Sequence, residues 1–130
     1  LASLYSLAAE YAAKVILPEQ IQMLKEINLQ FANAVENEQP FQAMELDEQF
    51  HNFIIDVSEN PYIASFSSSL QMHIGRFSYV FLKQPPAATI ASVKGHDSII
   101  LSLQNRDSEK ASMITKQHIL KAMQELYALL

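Results

Sequence analysis

Hydrophobic residues recur every three or four positions along almost the whole chain, and this spacing is typical of amphipathic α-helices. The pattern predicts six helices: about residues 3–16, 18–37, from 40 or 41 to 57, 62–82, 88–104, and from 108 into the C-terminal residues. The alternation typical of β-strands is absent, and only two glycines occur. Because the connectors are short, sequential helices should lie side by side, which predicts an all-α antiparallel bundle.

Proline, asparagine and aspartate mark where several of these helices begin. Pro18 and Pro61 suit the first turn of a helix, where the N–H that proline lacks has no partner within the helix. Asn60 and Asp107 belong to the residue types that cap a helix N-terminus with a side-chain oxygen. These residues support the predicted starts of the second, fourth and sixth helices.

The apolar stripe of each predicted helix indicates the side that faces the core. In the first helix we expect this side to consist of Leu4, Leu7, Ala8, Tyr11 and Val15. In the third helix the stripe consists of Phe41, Met44, Asp47, His51, Ile54 and Ile55. Two polar residues therefore lie in the middle of an otherwise apolar face.

Composition restricts the class of protein. The 130 residues are 49% hydrophobic and 18% charged, with a net charge of -5, which predicts one folded domain over residues 1–130 and no basic face for nucleic acid. The absence of cysteine excludes disulfides, thiolate metal sites and thiol nucleophiles, and fits a reducing cytoplasm. No apolar stretch is long enough to span a membrane, and no signal-peptide pattern opens the chain. Because the chain begins with Leu-Ala-Ser and no Met, we expect an upstream segment to be missing.

Asp47 and His51 are four residues apart, so they lie on the same face of the third helix, one turn apart. His96 and His118 each lie on the apolar stripe of a later helix. A single histidine in such a stripe is usually a core residue. The joint pattern favours a metal site instead, because burial of an unpaired carboxylate is costly and a cation would offset that cost.

This set of one carboxylate and three imidazoles suits Zn, Ni, Mn, Fe or Co, and ligand softness does not choose among them. A six-coordinate ion would leave two positions for water or a bidentate organic acid. A tetrahedral zinc ion could instead be fully enclosed and purely structural. Both alternatives remain open from the residues alone.

Several segments, in this order and at this spacing, resemble the C-terminal ligand-binding (FCD) domain of FadR-type GntR transcription regulators. The resemblance covers nearly the whole chain, and Asp-x-x-x-His followed by two later histidines is its most specific element. The segments are Leu46-Asp47-Glu48-Gln49-Phe50-His51, Ser58-Glu59-Asn60-Pro61, His96-Asp97-Ser98-Ile99-Ile100, Asp107-Ser108-Glu109-Lys110-Ala111 and His118-Ile119.

The resemblance implies an antiparallel bundle of six or seven helices with a metal bound deep inside. The ligands carried over to this sequence are Asp47, His51, His96 and His118. A small carboxylate metabolite is then expected on the metal. DNA binding belongs to a winged-helix domain on the N-terminal side, and nothing in this chain matches that domain.

Two departures from the family concern the effector rather than the fold. Gly95 precedes the third ligand where the family commonly has an acidic residue, and the first helix offers Glu10 but no Arg. Arg76 is the remaining candidate for clamping a carboxylate, because its guanidinium forms paired hydrogen bonds; alternatively it is a solvated surface residue. The other candidate effector contacts are Asn52, Ser92 and His73, and for His73 a structural or exposed position is the favoured alternative.

The favoured function is a metabolite sensor without enzyme activity, forming a homodimer through the first and fourth helices. A metal-dependent, hydrolase-like enzyme is an alternative, although the His-Glu-x-x-His signature and paired Glu-x-x-His motifs are absent. A helical interaction module with a structural metal is the other alternative.

Overall fold

The computed structural model describes the backbone of residues 1–74 and 86–129 and the side chains of residues 1–72 and 91–125. Within these ranges the secondary structure is helical, without strands, which confirms the all-α prediction. The helices are α1 (Ala2–Val15), α2 (Pro18–Glu36), α3 (Pro40–Val57), α4 (Pro61–Ile74), α5 (Pro86–Gln104) and α6 (Ser108–Leu129). The predicted continuation of the fourth helix to residue 82 lies outside the described residues.

The second, fourth and sixth helices begin at or next to the residues that the sequence indicated, whereas the fifth begins at Pro86, two residues before its predicted start. Pro18 and Pro61 occupy the first positions of α2 and α4. The side-chain oxygen of Asn60 accepts hydrogen bonds from the backbone N–H groups of Tyr62 and Ile63, at 3.0 and 3.2 Å. The carboxylate of Asp107 accepts one from Lys110 N–H at 3.1 Å. Both caps pair backbone donors that the first helical turn would otherwise leave unpaired.

Three connectors reverse the chain in the same way. Each has three residues, and the middle one has a positive φ: Glu38 at 54°, Glu59 at 56° and Arg106 at 55°. In the connectors after α2 and α5, the backbone N–H groups of the second and third residues donate hydrogen bonds to carbonyls of the last helical turn, as in a Schellman motif. These tight reversals place successive helices side by side.

The helices α1 and α2 each pack against both α3 and α5. α1 packs mainly against α6 and also contacts α3, α4 and α5, while α2 packs against α3 and α5. The most deeply buried large side chains come from α2, α3 and α5, and they are Leu24, Phe31, Phe50, Ile99 and Leu103. The interior that surrounds the predicted metal ligands is therefore built from several helices.

The predicted core face of α1 was largely wrong. The buried side consists of small residues and Tyr5, whereas Leu7, Tyr11 and Val15 are 37%, 40% and 50% exposed. The alanines Ala8, Ala9, Ala12 and Ala13 are fully buried, because small side chains allow α1 to pack closely against its neighbours. Phe41, expected on the core face of α3, is also exposed.

Arg106 joins the α5–α6 connector to the end of α1. Its guanidinium donates hydrogen bonds to the backbone carbonyls of Lys14 and Ile16, both at 2.9 Å. A positive charge at the C-terminal end of a helix also interacts favourably with the helix dipole. Among the described residues, none of the helices combines the length and apolarity needed to cross a membrane.

We expect Arg106→Ala to lower the free energy of unfolding by about 1–2 kcal/mol, because two charge-assisted hydrogen bonds to a helix end are lost. Glu38→Ala is the matched control, since Glu38 has the same left-handed backbone without these contacts. Urea denaturation followed by circular dichroism measures both. Equal losses in the two variants would contradict a role for the guanidinium.

Candidate metal centre

Four residues from three helices meet at one place in the bundle, where two of them, His51 and His96, are buried and the other two are half-buried. Asp47 and His51 come from α3, His96 from α5 and His118 from α6. Each offers one ligand atom, and these atoms all lie within 4.8 Å of one another. The structure therefore brings together the whole ligand set that the sequence predicted.

Asp47 lies beside two of the three imidazoles. Its Oδ1 atom is 2.9 Å from Nε2 of His96 and 3.6 Å from Nε2 of His51. The centroids of the three imidazole rings are 5.1 to 5.8 Å apart. The donor atoms are thus close enough to share one small cation after minor side-chain adjustment.

The environment of these atoms fits a cation. His96 is fully buried and His51 is 4% exposed, and the Nε2 atom of each has no hydrogen-bond partner of acceptable geometry among the described residues. An unpaired buried polar atom destabilises a fold by about 1–3 kcal/mol, which a bound cation would offset. Nitrogen and carboxylate oxygen are the ligands that divalent transition metals take in proteins. The residues present therefore fit such an ion.

The charge states of the site also suit a cation. Burial opposes ionisation of Asp47, but its close contacts with the imidazoles of His51 and His96 outweigh burial and hold the pKa of the carboxyl well below its usual value. Burial lowers the pKa of His96, and burial lowers the pKa of His118 to about 3. At neutral pH the site thus presents a carboxylate together with neutral imidazoles at these two positions, the forms that ligate metals.

Aromatic rings hold two of the imidazoles in place. The Phe50 ring stacks on His96 with centroids 4.1 Å apart, and the Tyr5 ring stacks on His51 at 5.1 Å. Burial raises the pKa of the Tyr5 phenol to about 12. Sequence reasoning missed Tyr5, because it lies off the stripe of larger apolar residues from which the face of α1 was assigned.

Asn28, on α2, also contacts the site and was missed. It is buried, its Oδ1 atom lies 3.0 Å from Nδ1 of His96, and its Nδ2 atom donates to Asp97 Oδ1 at 2.8 Å. The sequence did contain a signal that could have identified Asn28. Asn28 continues the buried stripe of Ile21 and Leu24 at helical spacing, so a polar residue occupied a core position.

Gly95 allows His118 to approach α5. A Cβ added to Gly95 would overlap Nδ1 of the His118 ring and lie 2.6 Å from its Cε1 atom. The position where this sequence departs from the family pattern is therefore in contact with one of the four candidate ligands. With any other residue at this position, the His118 ring would have to shift.

The candidate effector residues differ in what the structure shows. Asn52 Oδ1 accepts a hydrogen bond at 2.8 Å from Nε2 of Gln71, which also donates to the Tyr5 hydroxyl. Ser92 is half-buried and lies one turn before His96 on α5. The side chain of His73 and the whole of Arg76 lie outside the described residues.

Comparisons with known proteins agree with this architecture. The model of the FCD domain family matches residues 2–121. The solved structure of E. coli McbR/YncC is similar to this chain with a TM-score of 0.90 at 18% sequence identity, and the match covers 98% of this chain and 60% of that chain. At this identity the likeness shows the fold. No curated protein sequence matches the chain.

The family model spans nearly all of the 130 residues, and the helical bundle agrees with the resemblance to FadR-type GntR regulators. The chain therefore belongs to the FCD domain family.

Proposed function

We propose that this chain is the effector-binding and oligomerisation domain of a bacterial transcription regulator that works in the cytoplasm. It senses a small carboxylate with the help of a divalent metal ion. The observation that carries the proposal is the meeting of four ligand atoms within 4.8 Å, two of them buried imidazole nitrogens with no hydrogen-bond partner in the described part of the chain. DNA binding is assigned to a winged-helix domain outside this chain.

The metal would be held by Asp47, His51, His96 and His118. Zn, Ni, Mn and Fe all accept this donor set. When bound, the ion supplies concentrated positive charge and coordination positions for a carboxylate. Among the described residues, no Lys or Arg is hydrogen-bonded or ion-paired to these four, although the charge of Lys121 acts on His118. The cation would add positive charge in direct contact with an anionic ligand.

Polar groups near the site support binding of a polar metabolite. The Tyr5–Gln71–Asn52 hydrogen bonds join α1, α4 and α3 beside His51. Thr115 and Ser67 are each 1% exposed, and neither hydroxyl has a hydrogen-bond partner among the described residues. Thr115 lies one turn before His118, and Ser67 lies one turn before Gln71.

Ligand binding at this place would touch several helices at once. A metabolite shifts a conformational equilibrium only by binding one state more tightly than another. A carboxylate that joins the metal and also contacts α1 or α4 meets this condition, because the relative positions of these helices decide whether all contacts form. Binding can therefore be transmitted to the attached DNA-binding domain.

The positions of the carboxylate side chains favour the sensor over a metal-dependent hydrolase. A hydrolytic metal site needs a general base within reach of the bound water. Glu48 is the carboxylate next to Asp47 in sequence, and it is exposed. The Asp47 carboxylate already contacts His51 and His96, so it is not free to act as this base.

We expect His118→Ala to weaken Zn²⁺ and Ni²⁺ binding by at least about 100-fold. Loss of a residue that only hydrogen-bonds a metal ligand already costs about 10–100-fold in metal affinity, and His118 is itself a candidate ligand. Competition with a chromophoric chelator and elemental analysis of the purified domain measure the effect. Gln117→Ala, at the exposed neighbouring position, is the control and should bind normally. Unchanged metal content in His118→Ala would refute the ligand assignment.

We expect small organic acids to stabilise the domain only when metal is present. At about 100 times its Kd, an acid should add about 2.7 kcal/mol to the free energy of unfolding. A thermal-shift panel compares carboxylates with their amides, with and without Zn²⁺ or Ni²⁺. Stabilisation by metal but by no acid would indicate a structural ion, and consumption of an acid would indicate an enzyme.

Arg76→Ala should reduce acid affinity and leave metal affinity unchanged.

Exposed apolar stripes on two adjacent helices support the homodimer. On α1 the stripe is Leu7, Tyr11 and Val15, and on α4 it is Tyr62, Phe66 and Leu70. Tyr62 and Phe66 are 73% and 60% exposed, and α1 and α4 contact each other. Exposed apolar surface of this kind marks interaction sites, and a two-fold dimer would cover it on both copies.

We expect the domain to be a dimer in analytical ultracentrifugation and Phe66→Asp to shift it to a monomer, because an unpaired charge would be buried at the interface. Leu29→Asp is the control, since Leu29 is equally exposed on α2, away from this surface. A Phe66→Asp variant that remains dimeric would exclude the α1–α4 surface.

A further inference from the structure

Asn28 is a buried polar residue on α2, a helix that contributes none of the four candidate metal ligands. It connects α2 to α5. Its Nδ2 atom donates to the backbone carbonyl of Val93 at 3.2 Å and to Asp97 Oδ1 at 2.8 Å, and its Oδ1 atom faces Nδ1 of His96 at 3.0 Å.

These partners determine which way the amide points. The Val93 carbonyl and the Asp97 carboxylate both accept hydrogen bonds, so they must face the NH₂ group of Asn28, which has two hydrogens to donate. The Asn28 oxygen is then the atom that faces His96. Because this oxygen can only accept, Nδ1 of His96 must carry the hydrogen.

The consequence for His96 is a preferred tautomer. With the hydrogen on Nδ1, the lone pair of the neutral imidazole is on Nε2, the candidate ligand atom that lies 2.9 Å from Asp47 Oδ1. The opposite tautomer would place two acceptors 3.0 Å apart at Asn28 and direct a hydrogen at the place of the cation. In the absence of a cation, the Asp47 carboxylate also accepts hydrogen bonds and competes with Asn28 for the hydrogen of His96.

We propose that Asn28 is a positioning residue for the metal centre, holding His96 in the Nδ1–H tautomer with its Nε2 lone pair presented to the cation. This inference rests on the proposed metal site. Asp97 and the Val93 carbonyl in turn orient Asn28, which gives a carboxylate–amide–imidazole chain that begins at the exposed Asp97 and ends at the metal. Metal-ligating histidines commonly bond their other nitrogen in this way, and loss of such partners costs about 10–100-fold in metal affinity.

The test combines the affinity of the domain for Zn²⁺ with the tautomer of His96 in the metal-free domain, and the tautomer is measured in an Asp47→Ala background so that no carboxylate competes at Nε2. Long-range ¹H–¹⁵N spectra report the tautomer, and chelator competition reports the affinity. Asn28→Leu should remove the preference for Nδ1–H and weaken Zn²⁺ binding by about 10–100-fold. Asn33→Leu, at an exposed position on the same helix, is the matched control and should change neither.

A swap of the two partners provides a rescue. In Asn28→Asp/Asp97→Asn, the carboxylate at position 28 can accept from His96 Nδ1–H, and the amide at position 97 can donate to that carboxylate, while the Val93 carbonyl loses its donor. We expect the swap to recover the Nδ1–H tautomer and part of the Zn²⁺ affinity that Asn28→Leu loses. Should Asn28→Leu not fold, Asp97→Ala at the exposed end of the chain should still lower the population of the Nδ1–H tautomer.

The two proposals fail in different ways. If the wild-type domain binds no divalent metal while the His96 tautomer follows the residue at position 28, the metal proposal is wrong and the positioning of His96 by Asn28 stands. If the wild type binds Zn²⁺ and Asn28→Leu changes neither affinity nor tautomer, Asn28 is only a packing residue and the inference is overturned. Loss of affinity without a tautomer change, or without rescue by the swap, overturns it as well.

Discussion

The interaction on which the interior of this bundle depends is the meeting of the Asp47 carboxylate with the imidazoles of His51 and His96. A carboxylate and the lone pairs of neutral imidazoles repel one another at these distances unless a proton or a metal ion lies between them. The fold therefore keeps a place for positive charge at the point where α3, α5 and α6 converge. Stability and the binding of positive charge are coupled there, because whatever supplies that charge also holds the three helices together.

The surroundings of this centre restrict how it can move. Phe50 and Tyr5 stack on two of the rings, while Asn28 holds the far side of His96. Helices α1 and α2 supply no candidate ligand, yet each touches a ligand side chain. A displacement of either helix would consequently alter the geometry of the four candidate ligands. This arrangement suits a sensor, in which binding and helix packing must depend on each other.

Much of the fold and the four candidate ligands could be predicted from the sequence, because helical periodicity, proline positions and the Asp47–His51 spacing are local signals. The buried face of α1 could not be predicted, because the largest apolar residues were assumed to be buried, whereas Ala8 and Ala12 are buried and Tyr11 is exposed. The contacts of Asn28 with α5 join residues more than sixty positions apart. Such contacts form only when the helices pack, and the local patterns of a single sequence do not indicate them.

The close contact between Gly95 and the His118 ring has a consequence for comparing relatives. Only a hydrogen atom fits between the α5 backbone and this imidazole in its observed position. Where another relative has a larger residue at the equivalent place, its last histidine must adopt a different rotamer or its two helices must stand further apart. Substitutions at these two places should therefore be correlated in evolution, and the pair would divide the family into subgroups with differently shaped interiors.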